Sequence, residues 1–133
     1  IRLARGRYAL LLDADDELVA DAFASLRAVL QDNPQAGLVL GAQLSVTLDG
    51  RERLRLPTPA SGTPRQLIQR YLLEKKISIS HCCTLFRRDL LLQRPYPESL
   101  HTGEDIAVFA YLLVSAPVAL PLTRRCRALS RIA

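Results

Sequence analysis

An α/β fold, with helices packed on a sheet, is what this sequence predicts, and three observations predict it. The first is the stretch from Tyr8 to Glu17, where an apolar run ends in Asp13, Asp15, Asp16 and Glu17. A run this short, stopped by acids, reads as a buried strand that delivers carboxylates at its C-terminal end, where α/β proteins place their chemistry. The second is the helical spacing of Leu18, Ala22, Phe23, Leu26, Val29 and Leu30 directly after it, stopped at Asn33-Pro34. The third is that strand and helix patterns go on alternating along the chain.

The stretch 36–48, AGLVLGAQLSVTL, is rich in aliphatic and β-branched residues and reads as a strand. Asp49-Gly50 is a hairpin turn into a second strand, RERLRLP, whose Arg51, Arg53 and Arg55 fall on one face and read as solvated. Residues 57–64, dense in Pro, Ser, Thr and Gly, form a loop. A helix is expected over 65–75 with Leu67, Ile68, Tyr71 and Leu72 on its apolar side, then a strand from about Ile77 to Phe86. A short helix starts at Asp89 and stops before Pro95, and an irregular stretch leads into Glu104-Asp105 at the start of the apolar helix IAVFAYLLVSA. A final strand, VALPL, and a tail carrying Arg124, Arg125, Arg127 and Arg131 follow.

With 133 residues, 49% hydrophobic and 23% charged, the chain has material for one domain with a substantial core. No apolar run approaches the ~18 residues of a membrane helix, and IRLARGRY lacks the apolar centre of a signal peptide. The chain holds no Met and begins at Ile1. It is therefore expected to be a piece of a longer protein, missing the first half of the same α/β domain. Sheet surface left bare in that way would favour a homodimer.

The net charge of +5 comes from 18 basic residues, of which only Lys75 and Lys76 are lysines. This balance suits an anionic ligand or peripheral association with an anionic membrane face. It argues little for nucleic acid, because aromatics make up 5% of the chain and do not interleave with the basic residues. Cys82, Cys83 and Cys126 are an odd set, and adjacent cysteines do not bridge each other without severe strain, so a reducing, cytoplasmic compartment is expected. His81-Cys82-Cys83 lacks the C-x-x-C spacing of zinc sites and reads as buried strand.

Asp13, Asp15 and Asp16 would repel one another unless something positive sits among them. Mg²⁺ or Mn²⁺, which takes one or two carboxylates and fills its other positions with substrate oxygens, suits a D-x-D cluster. The plainer reading is a helix start, with Asp15 or Asp16 as cap. An EF-hand is excluded: counted from Asp13, its obligatory Gly and Glu positions hold Leu18 and Ala24. Glu104 and Asp105 form a second acidic site at a helix start. One cluster would hold metal and phosphate, and a separate carboxylate would take a proton.

Three pieces, ARGRYALLLDADDELVADAFASL, SHCCTLFRRDLL and YPESLHTGEDIAVFAYLLVSA, stand in the order and at about the spacing of the family 2 glycosyltransferases, which this sequence resembles. The resemblance implies the GT-A fold, a Rossmann-like mixed sheet flanked by helices, here lacking its N-terminal half. It implies an enzyme that moves a sugar from a nucleotide-diphosphate donor to an acceptor hydroxyl with inversion, on a glycan or lipid-linked acceptor. It places that activity at the inner face of the membrane, in bacterial cell-surface polysaccharide or lipopolysaccharide assembly. Carried over by position, Asp15 and Asp13 match the metal and donor acids, Asp16 assists, Asp105 matches the catalytic base, and Glu104 stands beside it as orienter. Arg124 and Arg125 match a phosphate-binding segment only loosely. No His follows Asp105 to serve as a further metal ligand. The rival readings are a haloacid-dehalogenase-like phosphatase and a non-catalytic binding module. The first wants a small hydroxyl residue where Glu17 and Leu18 stand.

Overall fold

The computed structural model describes residues 1–100, 102–121 and the backbone of 127–131. In chain order its elements are β1 (Tyr8–Leu10), β2 (Asp16–Leu18), α1 (Ala22–Asp32), β3 (Leu38–Leu40), β4 (Ala42–Val46), β5 (Glu52–Arg55), α2 (Pro64–Ile68), a π-helical turn (Gln69–Leu73), a 3₁₀ turn (His81–Cys83), β6 (Thr84–Arg87), α3 (Arg88–Gln93), α4 (Glu104–Ser115), β7 (Val118–Ala119) and β8 (Arg127–Arg131).

The first sheet runs β1-β6-β3-β7, with β6 antiparallel to both neighbours and β7 parallel to β3. The sequence expects a central sheet from the segments near Tyr8, Leu38, Ile77 or Leu85, and Val118, and of the two alternatives it is Leu85 that lies in the sheet. Side chains alternate across it as pleating requires. Ala9, Leu38, Leu40 and Phe86 face Leu67, Leu90, Leu91, Val108, Phe109, Leu112 and Leu113, the buried residues of α2, α3 and α4. Val39, Leu85 and Ala119 face Leu26 and Val29 of α1. Helices therefore cover both faces, and each fully buried Leu or Phe contributes about 1.5–3 kcal/mol of transfer free energy. Gly37 opens β3 where a Cβ would lie 2.5 Å from the Ala116 Cβ, so the end of α4 packs on bare backbone there.

The second sheet runs β2-β8-β4-β5. Its β4–β8 pair is parallel, and β2–β8 and β4–β5 are antiparallel. It is built at the edge of the first sheet where β1 and β3 end. The apolar stretch 36–48 is thus two strands rather than one. The chain breaks at Gly41, whose N–H donates to the Cys83 carbonyl at 2.7 Å, and changes sheets there. The Asp49-Gly50 hairpin forms as expected, with Arg53 opposite Ser45, Arg55 opposite Gln43 and all of β5 exposed.

Other expectations are corrected. The helix expected from Leu18 begins at Ala22, because Asp16–Leu18 pair with β8 instead. Phe23 lies off the face that Ala22, Leu26 and Val29 bury, and is 61% exposed. The strand expected from Ile77 shrinks to Thr84–Arg87, since its partners β1 and β3 are three residues long, and the chain coils through a 3₁₀ turn before it. Cys82 and Cys83 are buried in that turn rather than in a strand. Part of the Arg-rich tail, Arg127–Arg131, is a strand. Arg124, Arg125 and Cys126 lie outside the described residues.

Candidate functional site

β1 stops at Leu10, and the chain runs on to a tight turn closed by the Asp16 N–H donating to the Asp13 carbonyl at 3.1 Å. Asp13 and Asp15 are exposed on this turn, and Asp16 is half-buried at the start of β2. The acids therefore follow the C-terminal end of β1, and the reading of them as a helix cap fails: α1 starts after Asp21, and no side chain caps it.

Because β6 runs antiparallel between β1 and β3, the turn His81–Cys83 that precedes it lies at the same sheet edge as the acidic turn. Cys82 takes part in a polar cluster there. Gln43 Nε2 is 3.6 Å and Ser80 Oγ 3.2 Å from its Sγ. Its thiol is pushed far up by the neighbouring Cys83 and by burial, with the Asp16 carboxylate adding to the effect. Asp16 thus lies within electrostatic reach of the 3₁₀ turn.

The other side of the turn leads to the second acidic site. His81 Nε2 lies 2.7 Å from the Tyr96 hydroxyl. The imidazole packs edge-on against Phe109, with ring centroids 5.0 Å apart, and Phe109 stacks on Phe86 at 5.5 Å. Phe109 is one turn along α4 from Asp105, so His81 and Tyr96 abut the face of α4 that carries Asp105. α4 starts after Gly103, which sits at φ 71°, a left-handed conformation that costs a glycine little. Glu104 and Asp105, both partly buried, fill the first turn, and no side chain caps it.

Two phenols register the charge of these acids. The Tyr71 hydroxyl is pushed up to about 12 by burial and then by Asp105. Tyr96 is pushed up by burial, then by Asp105, Glu104 and Tyr71. Tyr71 reaches the site from the π-helical turn, a deformation often found at functional positions. Tyr71 and Tyr96 thus stand near Asp105, with His81 behind Tyr96. In the sequence, Tyr71 reads as part of an apolar stripe, His81 as buried strand and Tyr96 as loop. For His81 and Tyr96 the available signal was that they stand at the start of the second and third family-like pieces; Tyr71 carried none.

Among the described residues, no group of three or more His, Cys, Asp or Glu converges to hold a metal. Asp13 and Asp15 offer hard oxygen donors on one exposed turn. That set fits Mg²⁺ or Mn²⁺ sharing its coordination between one or two carboxylates and phosphate oxygens, and does not fit a cage made by protein alone. No helix among the described residues is long and apolar enough to cross a membrane.

Residues 1–94 match the sequence profile described as glycosyl transferase family 2. Over 98% of its length the chain also superposes on the crystal structure of S. aureus TarS 1–349, with a TM-score of 0.67 and 17% sequence identity. It spans 37% of that chain. No curated protein matches it in sequence.

Proposed function

Since the chain belongs to glycosyl transferase family 2, we propose that it forms the donor-phosphate and acceptor-activating part of an inverting glycosyltransferase that uses a nucleotide-diphosphate sugar. The observation that carries this reading is the 3₁₀ turn His81–Cys83, whose Cys82 senses the Asp16 carboxylate on one side and whose His81 leads through Tyr96 to the surroundings of Asp105 on the other. Two acidic sites far apart in the chain then lie on either side of one turn. Glycosyl transfer needs both a place for the leaving diphosphate and a base for the acceptor.

Asp13 and Asp15 would hold a divalent cation that neutralises charge building up on the leaving diphosphate. Asp105 takes the proton of the acceptor hydroxyl as its oxygen forms the new bond to the anomeric carbon. The bond from that carbon to the diphosphate oxygen breaks, and the nucleoside diphosphate leaves with the electron pair. Glu104, next to Asp105 in the same helical turn, contacts the acceptor. Tyr71 and Tyr96 keep their protons through the neutral range and so can donate hydrogen bonds to sugar hydroxyls while their rings exclude water. Arg124 and Arg125 are proposed to meet the phosphates. The acceptor is proposed to be a glycan or lipid-linked glycan of the cell surface.

Two substitutions in the full-length protein test the assignment. Asp15→Asn, a poorer partner for a hard cation, should weaken metal-dependent donor binding together with turnover. Asp105→Asn should leave donor binding nearly intact and cut turnover by roughly 10²- to 10⁴-fold, the usual worth of a positioned base. A near-normal rate for Asp105→Asn would remove it as the base, and unchanged donor affinity in Asp15→Asn would remove the metal role.

A further inference from the structure

The edge of the first sheet opposite the acidic turn carries a concentration of positive charge that the proposed reaction does not use. β1 starts and β6 ends there, and the Arg88 N–H donates to the Arg7 carbonyl at 2.9 Å, one step beyond the Tyr8–Arg87 pair. Arg7 and Arg88 are therefore cross-strand neighbours with Arg87 beside them. All three line an open cavity of about 400 Å³ together with Gly6 and Asp89. Like charges facing each other across a strand pair are destabilising, so the arrangement carries a cost within the folded chain.

The chain offsets that cost only in part. Among the described residues Asp89 is the one carboxylate in the cavity wall, and it is held by Arg87 Nε at 2.8 Å. Arg7 Nη2 donates to the Pro34 carbonyl at 2.8 Å, and Arg88 makes two long contacts, 3.4 Å each, to the Ile1 and Arg2 carbonyls. Three guanidiniums thus meet one carboxylate. Each guanidinium carries five N–H donors in a planar fork, and these contacts engage only one or two of them. Arg87 is also partly withdrawn from water, its side chain 21% exposed, which strengthens its pull on an anion.

We propose that this cavity binds a phosphate group, separate from the donor nucleotide at the opposite sheet edge. Phosphate oxygens accept from several guanidinium forks at once, with charge and geometry that a carboxylate as small as Asp89 does not saturate. The same chemistry could be supplied by the headgroup of an acidic phospholipid or by a free phosphate. The two sources are separable by experiment.

The test uses the full-length protein, its Arg87→Gln/Arg88→Gln variant and the milder Arg87→Lys/Arg88→Lys variant, with Asp15→Asn as a control for phosphate held at the acidic edge. Titration calorimetry with inorganic phosphate should show saturable binding to the parent and to Asp15→Asn, weakened at least tenfold in the Gln pair. Sedimentation with phosphatidylglycerol vesicles, against phosphatidylcholine vesicles, identifies the source. Association with the acidic vesicles that the Gln pair loses means a lipid headgroup, and phosphate binding without vesicle association means a free phosphate. If the Gln pair proves unfolded by its melting curve, the Lys pair decides, because it keeps the charge and loses the fork. It should melt like the parent and bind phosphate several-fold more weakly. Equal phosphate and vesicle binding by the parent and the folded variants would overturn the site, as would the absence of both from the parent.

Discussion

The Tyr71 phenol titrates near 12 instead of its ordinary 10.0, because burial and then the Asp105 charge disfavour the phenolate. A group whose proton is held more tightly in the folded state than in the unfolded one stabilises the fold fully below the unfolded value. It loses that contribution as pH climbs through the folded one. Tyr71 should therefore weaken the fold between about pH 10 and 12, and Tyr96 acts in the same direction. Tyr71→Phe keeps the ring and removes the titration, so its alkaline unfolding midpoint, followed by circular dichroism, should rise while stability at neutral pH stays close to the parent's. Identical alkaline midpoints would show that burial and Asp105 do not hold the Tyr71 proton. A second residue makes a prediction of opposite kind. Thr84 is 1% exposed and, among the described residues, its Oγ1 has no hydrogen-bond partner, a state that costs about 1–3 kcal/mol. Thr84→Val keeps the shape and should stabilise the protein by about 1 kcal/mol in urea unfolding, and a loss of stability would mean the hydroxyl has a partner after all. Neither effect is legible in the sequence. Tyr96 and His81 are 15 positions apart, and Thr84 reads as an ordinary strand residue; only the sheet and α4 together decide what each side chain meets.

At the scale of elements, the sequence was most legible where one segment settles its own structure. The hairpin at Asp49-Gly50, the helix that starts at Glu104 and the stop at Asn33 were all readable because turn residues and periodicity act locally. It was least legible where a partner decides. Ala36 to Leu48 is a single apolar run, and only the two different sheets on either side of Gly41 divide it. One local signal overrides the periodicity. Thr63-Pro64-Arg65-Gln66 is a capping box with Pro at the first helical position, and it starts α2 one residue earlier than periodicity suggests. The Thr63 N–H donates to Gln66 Oε1 at 2.9 Å, and the Gln66 N–H donates to Thr63 Oγ1 at 3.3 Å. Since α2 has only five residues before it widens into the π-helical turn that holds Tyr71, its start has little helix behind it to compensate. Thr63→Ala should cost about 1 kcal/mol. Because the π-helical turn follows directly, it should also raise the apparent KM for acceptor more than that for donor. A normal KM for both, with the stability loss present, would confine the cap to a structural role.

On the scale of the whole molecule, the acidic edge depends on a strand that composition disguises. Residues 127–131 read as part of an Arg-rich tail, since they lack the alternation that marks a strand. They become one because β2 and β4 present unpaired edges on either side. β8 is thus a central strand. Leu129 stands opposite Glu17 on one side and Leu44 on the other. Through β2, this strand holds the far end of the turn that carries Asp13 and Asp15. Proline in such a position removes a ladder donor and costs on the order of 3 kcal/mol or more. Leu129→Pro should therefore undo the second sheet while the first, with its own core of Phe86, Phe109 and Leu38, persists. Hydrogen exchange would show this directly. Amides of Asp16–Leu18 and Ala42–Val46 should lose protection, those of Leu38–Leu40 and Thr84–Arg87 should keep it, and metal-dependent donor binding should fall with the first group. Protection at Asp16–Leu18 that survived the substitution would mean that the acidic turn is held from β1 alone. The tail would then have no part in placing the donor.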